Sequence, residues 1–406
     1  MTPRRHDTPP ARTSAPLWAL ALITFSGTVA MHIFVPALPI ASADLHTSSA
    51  TIQMTVSLYI VGLAVGQLIY GPLSDRFGRR PVLMAGLALY TLAGLAAALA
   101  PDVYSLIAAR LFQALGGCSG LVLARAIVRD TAAGPRQAAQ RLALMNLMVT
   151  VGPGMAPLIG SALATGIGWR SIFYLLVALG MANFLFTWRL LPETNRPSAT
   201  PRGSTLKQDY LRLLRSPVFL GFTLGGGCAT TSIYAFISSA PFLFTEQLHR
   251  PAERVGLYLA ILVLGMALGN ALASRLMGRF NIRRVMVYAS LLSALAGLAF
   301  LGLALAGQLS LGRVLGTVFL FTLGAGIASP ATLTEAISVV PHLAGSASGL
   351  YGFTQMAIGA ACAALAVIGP NPALGAAFVL AGAGVIAQLS FWIALRASRR
   401  AARHGG

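Results

Sequence analysis

Acidic side chains are scarce in this 406-residue chain: ten Asp and Glu stand against 29 Lys and Arg, and charged residues of both signs make up only 10%. An ordinary soluble domain carries roughly 25% charged residues. So few charges cannot clothe a water-facing surface of this extent, which excludes a soluble enzyme. Cysteine is nearly missing as well. Cys118, Cys228 and Cys362 are odd in number, far apart and set in apolar stretches, so they read as small packing residues rather than a disulfide framework or metal site. The chain also lacks a phosphate-binding loop, a nucleophile motif and any metal-ligand spacing. No cofactor is expected, and ATP is not the energy source.

What fills the chain instead is apolar: 56% of residues are hydrophobic. A helix crosses a bilayer with about 20 mostly apolar residues. On that scale spans fall near 17–39, 52–72, 81–100, 104–126, 142–164 and 170–191, then 217–242, 255–277, 285–306, 313–337, 345–367 and 373–395. The expected fold class is an all-α membrane protein of about twelve helices. The net charge of +19 would ordinarily raise the question of nucleic acid, but the bases follow the alternation of loops. Twenty-four of them lie in the tails, alternate loops and adjoining span ends on one side, four on the other, and Arg110 alone is left well inside a span. By the positive-inside rule both termini are cytoplasmic. The predicted partners are therefore a lipid bilayer and no nucleic acid, in a chain expected to be monomeric.

The longest polar interruption, 192–216, falls at mid-chain. Shifting the sequence by 203 residues places Gly62, Gly66 and Gln67 on Gly265, Gly269 and Asn270. The same shift places Leu73, Arg76, Phe77, Arg80 and Val82 on Leu276, Arg279, Phe280, Arg283 and Val285. A span and its following loop are repeated, so the expected organisation is two pseudo-symmetric six-helix halves. They cover 17–191 and 217–395, with a tail 1–16, a linker 192–216 and a tail 396–406. Each glycine pair offers a bare helix face for close packing. Two such halves around a midplane site is a usual transporter arrangement.

The loop Gly71-Pro-Leu-Ser-Asp75-Arg76-Phe-Gly78-Arg79-Arg80-Pro-Val resembles the signature loop of the major facilitator superfamily. Arg110-Leu-Phe-Gln113, with Arg125-Ala-Ile-Val-Arg129-Asp130, resembles the fourth helix of its drug:proton antiporters. Gly152-Pro153-Gly-Met-Ala-Pro157-Leu-Ile-Gly160 is similar to the fifth helix of exporters. With Gly168-Trp169-Arg170, Leu191-Pro192-Glu193-Thr194 and the small-residue run 344–349, the chain resembles the Bcr/CflA multidrug resistance family from about residue 17 to 395. The resemblance implies a proton-driven exporter of drugs or antibiotics, phenicol- or bicyclomycin-like compounds included, in a bacterial inner membrane. It implies alternating access, with Asp130 pairing Arg76 or Arg79 as a latch and the fifth-helix prolines bending during rocking. The second half has Gly278 where the first has Asp75, so any latch there is expected to have lost its acid.

The pattern departs in the first helix, where the family carries Asp and this chain carries His32, in His32-Ile33-Phe34-Val35-Pro36. None of the ten acids lies squarely inside a span, Glu335 being nearest. With a reference pKa of about 6.5, His32 is the candidate proton carrier, with Thr28 one turn earlier as a partner for its ring. Arg110 never loses its proton and so cannot carry one, but it can anchor a network with Gln113 or bind an anionic group. The competing reading is a snorkelling side chain. Arg313, 203 residues later, suggests a duplicated geometry. Gln53, Tyr59, Gln67, Asn146, Tyr234, Asn270 and Gln355 are candidate cavity polars or helix bridges. A carrier of one metabolite, or a non-transporting sensor on the same fold, is the alternative function.

Overall fold

The computed structural model describes residues 16–132, 135–195, 206–340, 344–368 and 371–404, and these form helices with no strand among them. The first crossing comes in two pieces, α1 (Leu17–His32) and α2 (Leu38–Asp44), joined by a 3-10 turn at Val35–Ala37. Four long helices follow: α3 (Ser49–Phe77), α4 (Arg79–Ala98), α5 (Val103–Thr131) and α6 (Pro135–Gly166). α7 (Arg170–Leu190) completes the first set, and a short α8 (Leu206–Leu214) lies in the linker. The second set begins with another divided crossing, α9 (Pro217–Thr231) and α10 (Ile233–Phe242), running into a π-helical turn at Leu243–Gln247. It continues through α11 (Ala252–Arg279), α12 (Ile282–Leu305), α13 (Leu311–Ser338), α14 (Ala344–Leu365) and α15 (Pro372–His404).

Among the described residues ten helical stretches are long and apolar enough to cross a membrane. α6 and α14 occupy the two other places where spans are expected. Three details differ from the sequence reading. The first helix breaks at 33–37, because Pro36 and Pro39 supply no N–H and disfavour helix in the residues before them. The linker carries α8, whose Leu213 is fully buried and whose Tyr210 packs beside it against the second half. α15 continues well past its apolar stretch to His404.

The repeated glycines do repeated work. A Cβ on Gly62 would lie 2.7 Å from the Leu111 carbonyl, and one on Gly66 would lie 2.6 Å from Cys118, both on α5. Gly265 and Gly269 meet α13 in the same way, at Thr322 and Leu323. Bare backbone thus brings α3 onto α5 and α11 onto α13. Across the two sets, α3 packs on α14 and α6 on α11. On the side away from α1's start, termed the far side here, α10 also packs on α2, the 3-10 turn and α3. There Ser161 Oγ donates to the carbonyls of Ala252 at 3.1 Å and Glu253 at 3.0 Å, and Gly256 leaves room for the Pro157 carbonyl.

Candidate functional site

α1 ends at His32, part-way along the first span, and beyond the Val29 carbonyl, which Ile33 N–H serves, its last carbonyls lie past the end of the helix. α5 brings a guanidinium to that end. Arg110 is fully buried and donates from Nη2 to the Ala30 carbonyl at 2.9 Å and from Nη1 to Gln113 Oε1 at 2.7 Å. A cation at a helix C-terminus is favoured by the helix dipole. Three rings surround it: the Tyr59 centroid lies 4.0 Å from its Cζ, Phe34 5.7 Å and Phe173 5.8 Å. Tyr59 and Tyr90 in turn donate to the Gly27 and Ser26 carbonyls at 3.0 and 3.2 Å. The snorkelling alternative for Arg110 is thereby excluded. Two buried nitrogens in the cluster, Arg110 Nε and Gln113 Nε2, have no hydrogen-bond partner. No carboxylate pairs with Arg110 among the described residues.

His32 is partly exposed at the end of α1. Its Nδ1 lies 2.9 Å from the Thr28 carbonyl. A carbonyl only accepts, so Nδ1 carries the hydrogen in the neutral ring and Nε2 keeps its lone pair. The expected side-chain partner is corrected: Thr28 Oγ1 donates to Phe25 O at 2.9 Å, and only its carbonyl serves the ring.

In the second set an uncharged cluster joins α9, α13 and α14. Gln355 Nε2 donates to Thr230 Oγ1 at 2.9 Å and to the Tyr351 hydroxyl at 3.2 Å, and that hydroxyl lies 2.8 Å from Thr332 Oγ1. Gln355 is therefore a helix bridge, and Tyr351, Thr332 and Thr230 join it although the sequence reading passed them over. Arg313 does not duplicate Arg110. It is exposed at the far-side end of α13 and bonds to Gln308, because its place falls three residues into a helix rather than deep within one.

The remaining polar candidates scatter. Gln53 is buried with its Oε1 unpartnered, Gln67 lies against Gly352 of α14, Tyr234 lies half-buried against Gly359, and Asn270 is exposed. The side chains of Asn146 and Pro153 lie outside the described residues. Of the fifth-helix motif, Gly152 packs on Phe25 and Val29, Gly160 on the Ile33 carbonyl of the broken first helix, and Pro157 on Gly256 across the two sets. A shallow apolar groove lined by Val287, Leu389, Trp392 and Leu395 on the outer face of α12 and α15 brings no chemistry.

The signature loop is tightly built. Gly78 ends α3 at φ +98°, a conformation that suits glycine, whereas Gly71 lies within α3 with open space beside it. Arg79 pairs with Asp75 at 2.7 Å and Asp130 at 3.0 Å, and donates to Ser74 Oγ at 2.6 Å. Arg79 is thus the partner of Asp130, while Arg76 rests over the Phe77 ring and Arg80 donates to the Trp188 carbonyl. A residue beyond α7 completes the arrangement. The Glu193 carboxylate accepts from the backbone N–H of Arg79 at 2.9 Å and Arg80 at 3.1 Å, capping α4 at its positive end. Asn195 Nδ2 donates to the Ser74 and Asp75 carbonyls at 3.2 and 2.9 Å. The expectation of an acid-free second latch is corrected: Arg283 Nε donates to Glu335 at 2.9 Å, the acid arriving from α13 rather than from the position of Gly278.

Comparison with known proteins gives this geometry its setting. Residues 20–364 match the model of the Major Facilitator Superfamily. The chain is 31% identical to the Multidrug resistance protein D of Escherichia coli (strain K12), over 88% of this chain and 90% of that one. It is 33% identical to the Chloramphenicol resistance protein of Pseudomonas aeruginosa, over 62% of this chain and 58% of that one. Its backbone is similar to that of a mutant form of the nucleoside transporter NupG, with a TM-score of 0.74 at 14% identity, covering 93% of this chain and 98% of that one.

Proposed function

The chain belongs to the major facilitator superfamily, and on that premise we propose that it exports drug-like molecules, phenicols and bicyclic antibiotics among them, in exchange for protons. It is a multi-pass membrane transporter and not an enzyme. The names of its relatives support drug efflux. The loop charges support a bacterial inner membrane with both chain ends in the cytoplasm, which makes the far side periplasmic.

The observation that supports the coupling is His32, a titratable, partly exposed ring at the break in the first span, whose Nδ1 is held by the Thr28 carbonyl and whose Nε2 is left to take a proton. Thr28 fixes the tautomer, and the helix break frees the ring from the regular helix surface. In this reading the proton enters from the periplasmic side and binds Nε2. When the two halves rock, it leaves to the cytoplasm as substrate takes its place. The far-side seam at Ser161 and Gly256 belongs to the cytoplasm-facing conformation and parts in the opposite one. Arg79, with Asp75 and Asp130, holds the cytoplasmic loop in one piece while the halves move.

Inside-out vesicles with an acidic interior and a fluorescent pH reporter test this. A phenicol or bicyclic antibiotic should evoke alkalinisation that His32→Ala abolishes. A response of equal size in the variant removes His32 from the coupling. No response to any compound in the unaltered protein removes drug:proton exchange itself.

A further inference from the structure

The groove on the outer face of α12 and α15 adds nothing to the transport machinery, but its rim is charged. It holds about 370 Å³ and is lined by Val287, Gln388, Leu389, Phe391, Trp392 and Leu395. Its one amide is already engaged, since Gln388 Nε2 donates to Ser290 Oγ at 2.8 Å. The walls are otherwise hydrocarbon and aromatic, and they face outward: Leu389 and Trp392 are both more than half exposed, at 56% and 51%. In a membrane-spanning helix that surface meets lipid.

The two helices run antiparallel in a register that three contacts fix. Ser290 meets Gln388, Ala294 meets Gly384, and Gly297 meets Leu380. The same register sets Arg284 level with Ala394, two residues from Arg396 and so about 3 Å from it along the axis. Both arginines stand on lipid-facing stripes. Arg284 shares its stripe on α12 with Tyr288, Leu291 and Leu295, at steps of three and four residues, and all are exposed. On α15 Val385, Leu389 and Trp392 lead by the same steps to Arg396 and Arg399, also exposed. Each stripe thus turns from apolar to cationic at one height, and the groove lies on the apolar side of that line.

These cations are placed but not paired. Arg396 Cζ lies 3.6 Å from the centroid of the Trp392 ring, which stacks the guanidinium on the groove's own wall. Arg284, Arg396 and Arg399 have no carboxylate partner among the described residues, whereas Arg283 spends its charge on Glu335 at 2.9 Å. No acid lines the groove.

We propose that the groove is a binding site for an anionic phospholipid of the cytoplasmic leaflet, its acyl chain against Leu389 and Trp392 and its phosphate between Arg284 and Arg396. A neutral lipid fills the same groove but gains nothing from the arginines. Each basic residue beside an anionic headgroup changes occupancy by roughly fivefold. The site needs the membrane orientation read from the loop charges and is independent of what the carrier exports.

Trp392 reports on its own groove. The full chain in mixed micelles is titrated with brominated phosphatidylglycerol or brominated phosphatidylcholine, and the quenching due to Trp392 is the difference from Trp392→Phe. The glycerol lipid should reach half-maximal quenching at about a tenfold lower mole fraction than the choline lipid. Arg284→Gln combined with Arg396→Gln should bring that ratio below about threefold. Val287→Phe, which fills the groove and keeps both arginines, should weaken quenching by either lipid. Coincident curves in the unaltered protein reduce the groove to ordinary lipid contact and overturn the proposal. So does a preference that survives the double Gln variant, or quenching left unchanged by Val287→Phe. Trp392 shielded from both lipids in a protein that sediments as a dimer assigns the groove to a second copy and overturns it too. The two tests alter different features, so a folding defect in one leaves the other to decide.

Discussion

The two six-helix sets share a backbone plan and differ in their polar chemistry. In the first, a guanidinium sits at the end of a broken helix among three aromatic rings. In the second, a cluster between α9, α13 and α14 holds hydroxyls and one amide. At the terminal-side loops the contrast recurs. Arg79 has two acids and a serine, and α4 is capped from 114 residues away by Glu193. Arg283 has one acid, and α12 is capped by its own Asn281. Glycine packing is alike in the two sets and the polar chemistry around it is not: a buried guanidinium and bracing from a distant segment mark the first, hydroxyls and local bracing the second.

The comparison breaks most visibly at the two buried clusters. Arg110→Met leaves the Ala30 carbonyl and Gln113 Oε1 without their donor, at a cost of about 1–3 kcal/mol for each buried group. It should cut drug export from cells more than tenfold, while Tyr351→Phe, which removes only a hydroxyl, should leave export within twofold. Equal losses would erase the distinction between the halves. A smaller effect is expected at the latches. Arg79→Gln should lower export about fivefold, and Arg283→Gln less than twofold, read from efflux of a fluorescent substrate in matched cells. The smallest lies at the far-side helix starts. Asp102 caps α5 by accepting from the N–H groups of Ser105 and Tyr104, and the Ser310 side chain makes no such bond to α13. The bond from Ser105 leads in holding the Asp102 carboxyl below its usual range. Its contribution is therefore present above the ordinary carboxylate pKa and fades as pH falls through the lowered one. Asp102→Ala should lower the Tm slightly at neutral pH and not in acid, and Ser310→Ala at neither.

Much of the plan was legible because it is written in local terms. Span length, the loop alternation of arginine, the repeated glycines and the Arg110–Gln113 pair three residues apart all follow from hydropathy and helical spacing. The signal for the break at 33–37 was present too, in Pro36 and Pro39, although hydropathy alone reads that window as one span. α8 likewise has Leu206, Tyr210 and Leu213 at helical spacing, inside a stretch whose polarity reads as linker. What remained hidden depends on meetings between distant segments. Glu193 reaches Arg79 only once α7 has returned the chain to the loop, and Phe34 from the break in the first span meets Phe173 of α7 around Arg110. The second latch escaped because the 203-residue shift sets Arg283 on Arg80, whereas in space it does the work of Arg79 with an acid from another position.

The broken first helix also bears on how the protein is made. The carbonyls of Ser26 and Gly27 near its end accept from Tyr90 and Tyr59, and that of Ala30, in the last turn, accepts from Arg110; these donors lie on α4, α3 and α5. Translation delivers these donors one hairpin at a time, and the last arrives only after the ribosome has passed residue 110. Until then the leading segment waits in the bilayer with an open end that lipid cannot satisfy. The opening helix is thus the first to be inserted and among the last to settle. A chain released early would expose that end to whatever surveys unfinished membrane proteins.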